Sequence, residues 1–249
     1  MRVASYNIRK SVGLDRVRNP RRILDVLNEI DADIVFLQEV DRRVGDRETT
    51  VSPEMLARHT DYKAADVAIR ERSIGWHGNA IFVRNSIDIL TTSRIELPVA
   101  EPRGAVVADV DVDGLHLRCV ATHLGLLKKH RKRQINTIAN AMRQNEGDPP
   151  IIIAGDFNEW RKADSCLDLF GTDYNQVAPQ PSFHSALPVA ALDRIVVSKD
   201  IQLGESAVHR SKKSKVASDH LPLWTDLHLP KAQDRILADG TPNPVQHSA

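Results

Sequence analysis

The sequence predicts an α/β fold, a four-layer sandwich of two packed mixed β-sheets flanked by helices. Strand-like and helix-like segments alternate along the whole chain, with no repeat, low-complexity tract or mid-chain linker. The middle holds consecutive strand patterns joined by hairpin signals, which a pure βαβ chain would lack. Many strands share only a few helices, an arrangement that suits two sheets packed face to face with helices outside.

The elements follow in order. Val3–Ile8 reads as a strand. Residues 20–30 carry Ile23, Leu24, Leu27 and Ile30 at helical spacing behind Pro20, which is tolerated in a first turn. Asp33–Leu37 is a short apolar strand buried on both faces, and Pro53–His59 a brief helix. Tyr62–Arg70, Asn79–Arg84, Ile87–Glu96, Ala105–Val112 and Leu115–Thr122 read as strands, the last two joined by an Asp113-Gly114 hairpin signal. Lys129–Gln144 is a helix with Ile135, Ile138, Ala139 and Met142 on one face; Pro150–Ala154 is a strand and Ala163–Phe170 is helical. Leu192–Ser198, Gly204–His209 and Leu221–Leu227 close the fold as strands. Residues 1–229 form one domain, and residues 230–249 a polar tail outside the core, of a composition that permits disorder.

At 249 residues the chain is long enough to bury a large core. Lys and Arg (34) nearly balance Asp and Glu (33), so no overall field marks a nucleic-acid binder, and attraction to anions must be local. Two basic runs, Lys128–Arg133 and Lys212–Lys215, could steer an anion or simply solvate a helix face and a loop. Cys119 and Cys166 sit in apolar contexts without metal or redox spacing, as buried free thiols. With no apolar run of membrane-spanning length and no signal-type start, they suit a cytoplasmic protein.

Polar residues cluster at the ends of apolar strands, where rigid elements can aim side chains from distant parts of the chain at one point. Asn7 closes the first strand and Glu39 the second. Thr122-His123-Leu124, Gly155-Asp156-Phe157-Asn158, Leu192-Asp193-Arg194 and Ser218-Asp219-His220-Leu221 follow. Singly, each has a plain reading as a solvated strand end, a turn residue or a satisfied core histidine. Together, in the order Asn, Glu, His, Asp-x-Asn, Asp, Asp-His, they resemble the endonuclease/exonuclease/phosphatase family over about residues 1–228. Gly-Asp-x-Asn and Ser-Asp-His are the most specific pieces.

The resemblance implies a Mg2+-dependent phosphoester hydrolase, with Mn2+ as a substitute and residues 1–229 as its catalytic domain. Magnesium takes oxygen ligands, few of them carboxylates, and there is no paired His/Cys zinc spacing. Glu39 is the leading ligand, with Asp219 second and Asn7 binding or orienting the metal. Asp156 would orient or activate the attacking water, and Asn158 would hold that water or a phosphate oxygen. Asp193 would pair with His220, a base or a phosphate contact, and His123 would donate to the scissile phosphate. Asn79, in Gly78-Asn79-Ala80-Ile81, could sit beside the phosphate or cap a turn. Arg103 could clamp a phosphate with its planar fork or lie exposed, and Arg9 could do the same.

The motifs look most like the compact bacterial branch of the family. Abasic-site endonucleases usually carry Trp-Asn, Gly-Asp-Leu-Asn and Leu-Asp-Tyr, where this chain has Tyr6-Asn7, Gly155-Asp156-Phe157-Asn158 and Leu192-Asp193-Arg194. The expectation is therefore a monomeric phosphodiesterase acting on a small or lipid-linked phosphodiester, with peripheral membrane contact open. A DNA or RNA nuclease is one alternative, and a non-catalytic binding protein that retains the fold is another.

Overall fold

The apolar runs that open the chain, Arg2–Asn7 (β1) and Ile34–Gln38 (β2), pair in parallel. On β2, Ile34 and Phe36 face one apolar layer while Val35 and Leu37 face another. A strand covered on both sides needs apolar residues at successive positions, so no alternation shows. The structure, a computed structural model, describes residues 1–98, 103–143, 148–160 and 165–230.

The link between the two strands is the helix Pro20–Ile30 (α1). Its cap is Asn19, whose side chain accepts the Arg22 amide at 3.0 Å, and its apolar stripe packs under the sheet. Pro53–His59 (α2) starts in the same way, with Ser52 accepting the Met55 amide at 3.2 Å. Tyr62–Ala64 (β3), Ala80–Arg84 (β4), Gln202–Val208 (β11) and Leu223–His228 (β12) complete a six-stranded sheet of order β11-β12-β1-β2-β4-β3. The second sheet holds Asp88–Glu96 (β5), Gly104–Val112 (β6), Leu115–His123 (β7), Ile151–Asp156 (β8), Tyr174–Gln176 (β9) and Asp193–Ser198 (β10), in the order β5-β6-β7-β8-β10-β9. Its one parallel pair, β7–β8, is bridged by the helix Lys128–Ala141 (α3).

The sheets pack through Phe36, Ile81, Val106, Cys119, Ile152 and Ile195 among others. A second apolar layer joins the first sheet to α1 and α2, and a third joins the second sheet to α3 and the 3-10 turns at Cys166–Asp173. The fold is thus the predicted α/β sandwich of two mixed sheets. Full burial of one such side chain is worth roughly 1.5–3 kcal/mol, against about 0–1 kcal/mol for a surface ion pair, so these layers hold the fold.

The topology has a consequence for function. β1, β2, β7 and β8 end at one edge of the sandwich, and their antiparallel neighbours β4, β10 and β12 begin there. The polar residues that close or precede these strands therefore meet.

Some elements differ from expectation. The strand expected over Tyr62–Arg70 stops at Ala64, because Ala65 and Val67 turn into the core and Arg94 binds the Val67 carbonyl at 3.1 Å. The helix expected over Lys129–Gln144 ends at Ala141, and Gln144 lies outside the described residues. The helical segment Ala163–Phe170 is a pair of 3-10 turns from Cys166, with Ala163 and Asp164 outside the described residues. The short β9 and the helical turn Ser214–Ala217 (α4) had no sequence signature. Of the tail 230–249, only Pro230 is described. Among the described residues no helix is long and apolar enough to cross a membrane. Both cysteines are free, and burial raises each thiol's pKa.

Candidate active site

β8 ends on Asp156, and the chain reaches that point through a contact that only glycine permits. A Cβ on Gly155 would lie 1.8 Å from the Thr122 carbonyl oxygen, so the glycine lets β8 press against β7 where His123 and Asp156 are in register. Asp156 is 2% exposed. Its Oδ2 accepts the Asn7 amide at 3.1 Å, from the opposite sheet. The same oxygen lies 3.3 Å from His123 Nε2 and 3.6 Å from His220 Nε2. Its Oδ1 accepts the Asn158 backbone amide at 3.0 Å. Asn158, at φ 52°, sends its side-chain amide to the Leu124 carbonyl at 2.9 Å, which ties the exits of β7 and β8 together.

Asp193 starts β10 opposite Asp156 and is fully buried. Its Oδ2 accepts from His220 Nδ1 at 2.9 Å and from the Ser182 hydroxyl. The predicted Asp193–His220 pairing is therefore present. His220 lies between two carboxylates, Asp193 on Nδ1 and Asp156 near Nε2. Burial opposes its charge, but the fields of Asp193 and Asp156 outweigh that and raise its pKa to about 9. For His123, burial dominates: with Arg103, His220 and Lys10 nearby it is pushed down to about 3, despite Asp156. One imidazole is thus a cation at neutral pH and the other a neutral ring.

The other half of the cluster is more open. Glu39 leaves β2 at φ 56° and lines a cavity of about 320 Å³ together with Lys10, Arg103 and His123. The Lys10 ammonium sits against the Glu39 carboxylate. Burial, then the neighbouring Arg43 charge, lower the Lys10 pKa to about 8. Asp219 holds Arg9 at 3.3 Å, so Arg9 is engaged there rather than standing free as a clamp. Asn7 Oδ1 accepts the Arg9 amide at 3.0 Å, which leaves one lone pair for any further partner.

The donor chemistry fits a hard divalent cation. Glu39 and Asp219 are carboxylates, partly open to solvent, whose charged partners Lys10 and Arg9 occupy places that another cation could take. Among the described residues no three His, Cys, Asp or Glu side chains gather into a metal-type cluster; magnesium needs only one or two carboxylates and keeps waters.

Asn79 does not join this cluster. It is fully buried, and its amide is spent on the Gly104 carbonyl at 3.0 Å and on the Trp76 carbonyl at 3.4 Å, stitching the start of β4 to that of β6. These bonds fit the capping alternative, while its Oδ1 is buried without a hydrogen-bond partner. One residue of each basic run serves the scaffold. Arg131 is buried against Glu159 at 3.3 Å and caps the Gly125 and Leu126 carbonyls, while Lys213 pairs with Asp25 at 2.9 Å.

Several residues of the site had no place in the sequence reading. Lys10 reaches Glu39 because Arg9, Lys10 and Ser11 take φ values of 47°, 56° and 57°, a left-handed run without glycine that no local pattern announces. Such strain is held only where surrounding contacts over-determine it. Ser182 sits in an irregular loop with no periodicity to flag it. Arg42, Arg43 and Arg47 line the cavity from the loop after β2, in a charged stretch that reads as ordinary surface.

The sequence profile of the endonuclease/exonuclease/phosphatase family matches residues 4–220, a span that contains every member of the cluster from Asn7 to His220. The chain belongs to the endonuclease/exonuclease/phosphatase family. It is 30% identical over 227 residues to the uncharacterized Escherichia coli K12 protein YbhP, covering 82% of this chain and 87% of YbhP. Solved structures of the same fold include the Bacteroides thetaiotaomicron mannosyl-6-phosphatase Bt3783, with TM-score 0.73, 20% identity, and coverage of 92% of this chain and 100% of that one. Another is D. rerio TDP2 complexed with a single-strand DNA product, with TM-score 0.71, 19% identity, and coverage of 92% and 98%. The family consists mainly of phosphoester hydrolases, and its enzymes generally use divalent metals.

Proposed function

We propose that the chain is a Mg2+-dependent phosphodiesterase acting on a small or lipid-linked phosphodiester, with Mn2+ as a working substitute. In this reading residues 1–229 are its catalytic domain and it works as a monomer in the cytoplasm. One observation carries the proposal: Asp156 Oδ2 is approached at once by Asn7, His123 and His220, and His220 is backed by Asp193. A carboxylate so surrounded by polar partners is held in one orientation, as a group that orients water must be.

Glu39, with Asp219 and Asn7, would hold the metal, which supplies Lewis acidity to the phosphate and lowers the cost of charge on its oxygens. The chain's own residues do the rest. Asp156 orients the attacking water and takes its proton as the new oxygen–phosphorus bond forms. The bond from phosphorus to the leaving oxygen breaks, and the protonated His220 is the acid placed to return a proton to that oxygen. The charge of His220 at neutral pH favours this donor role over that of first base. His123, a neutral ring with a single N–H, turns that donor from Asp156 to a phosphoryl oxygen when substrate binds, and Asn158 offers its second amide hydrogen. Arg103, on the cavity wall, contacts the phosphate.

The test is hydrolysis of bis-p-nitrophenyl phosphate in EDTA, Mg2+ and Mn2+, with wild type beside Asp156→Ala. Turnover that needs the metal and falls by about a hundredfold or more in a folded variant is expected, given what a positioned acid–base group contributes. A variant with near-normal turnover would overturn the assignment. The nuclease reading is tested on oligonucleotides, where binding should weaken steeply with salt.

A further inference from the structure

The cavity at the sheet edge holds more positive charge than one phosphodiester uses. On one side stand Glu39, His123 and Arg103; on the other stands the loop between Asp41 and Thr49, carrying Arg42, Arg43 and Arg47. That loop is anchored at its base. Asp41 bridges Thr49, the Arg42 amide donates to the Glu48 carbonyl at 2.9 Å, and the Thr50 amide donates to the Val40 carbonyl at 2.9 Å. Two of its three acids are engaged elsewhere, and the third, Asp46, stands in solvent 3.9 Å from Arg72. Asp41 turns inward to Ser73 at 2.6 Å and the Ile74 amide at 3.2 Å, and Glu48 pairs with Arg42 at 3.1 Å and Arg72 at 2.7 Å.

Arg43 and Arg47 remain. Neither has an ion-pair or hydrogen-bond partner for its side chain among the described residues, and both line the cavity. His77 lines the same wall. A phosphodiester brings one negative charge, which the metal locus, Arg103 and the two site histidines already meet. Two unpaired guanidinium forks on the wall of one cavity match a second, more highly charged oxyanion.

We propose that Arg43 and Arg47 form a subsite for a second phosphate group on the substrate, so that the preferred substrate is a phosphodiester also bearing a phosphomonoester. This rests on the phosphodiesterase reading and names its substrate class. The same oxyanion chemistry could come from the next diester of a nucleic-acid strand, and the test separates the two sources.

Three matched esters serve as probes: thymidine 5'-(p-nitrophenyl phosphate), the same compound with a 3'-phosphate, and the same with a 3'-(methyl phosphate). In wild type the 3'-phosphate should raise kcat/KM about ten- to a hundredfold, the worth of one or two charge-assisted hydrogen bonds, and the methyl diester should raise it less. In the Arg43→Ala/Arg47→Ala variant the ratio between the first two esters should fall to about one. Equal gain from phosphate and methyl phosphate would overturn the monoester preference in favour of a polymer strand. Calorimetry in EDTA, comparing thymidine 3',5'-bisphosphate with thymidine 5'-monophosphate, reads the subsite without turnover. Tighter binding of the bisphosphate in a protein that does not cleave bis-p-nitrophenyl phosphate would keep the subsite and discard the hydrolytic reading. Cleavage of that diester, with no preference in rate or binding, would discard the subsite alone.

Discussion

The two sheets contribute unequally to the two halves of the site. The second sheet supplies Asp156, Asn158, Asp193 and His123, all buried and nearly all committed to fixed hydrogen bonds. The first adds Asn7 and His220 to that fixed group, and beside them Glu39, with Lys10, Arg9 and the arginines of the following loop, more open and paired with side-chain cations. One half is preorganised and the other is exchangeable. Preorganised dipoles cost nothing to reorient during a reaction, which suits the half that handles protons. Exchangeable cations suit the half that must admit a metal ion and a substrate.

The sharpest way to break this contrast is to strike the rigid half. Asp193→Asn should leave the fold intact and lower kcat by about a hundredfold or more, since His220 loses the carboxylate that holds its proton and orientation. A loss confined to KM would show that the pairing serves binding instead. Gly155→Ala comes next. The added methyl meets backbone rather than a flexible side chain, so overpacking of at least 1–3 kcal/mol is expected, read as a fall in Tm of roughly several degrees.

The open half should respond more gently and in the metal dependence. Glu39→Gln should raise the Mg2+ needed for half-maximal activity by about tenfold or more, whereas Lys10→Ala should lower it by removing a competing cation. If both variants raise it, Lys10 is part of the binding set and not a placeholder.

The two histidines sharpen the comparison through pH. His220 has a folded pKa of about 9 against an ordinary 6.5, so its contribution to stability is full below pH 6.5 and fades as pH rises through 9. His123 has a folded pKa of about 3, so the unfolded chain binds the extra proton and stability falls as pH drops from 6.5 toward 3. Denaturation midpoints in EDTA should therefore decline on both sides, with His220→Asn flattening the alkaline limb and His123→Asn the acidic one. The smallest effect is expected from Lys213→Ala, whose exposed pair with Asp25 is worth about 0.2–1 kcal/mol and whose loss should not alter kcat/KM.

Much of this was legible in the sequence where local chemistry and tertiary role agree. α1 and α2 begin at Pro20 and Pro53 as read, because a capping side chain and a first-turn proline mark a helix start regardless of context. The strand ends bearing Asp156, Asp193 and His220 were visible because an apolar run stopping on a charge is a pattern along the chain. Lys10 and Ser182 were not, since their place depends on a left-handed backbone run and on an irregular loop that only the packed sheets define. Asn79 was ambiguous for a related reason. Its neighbours in sequence suited either role, and Gly104, 25 residues away, holds its amide. The edge strand β3 ran short because burial of Ala65 and Val67 overrode a pattern that favours extension.

The hydrogen bond from Asn7 to Asp156 spans the interface between the two sheets. It makes the working carboxylate a gauge of how the halves of the sandwich are seated. A slip of one sheet over the other by an ångström would leave every strand hydrogen bond intact and yet remove a donor from Asp156. In a urea titration, activity should therefore decline ahead of the loss of secondary structure, as the sheets loosen before either one melts.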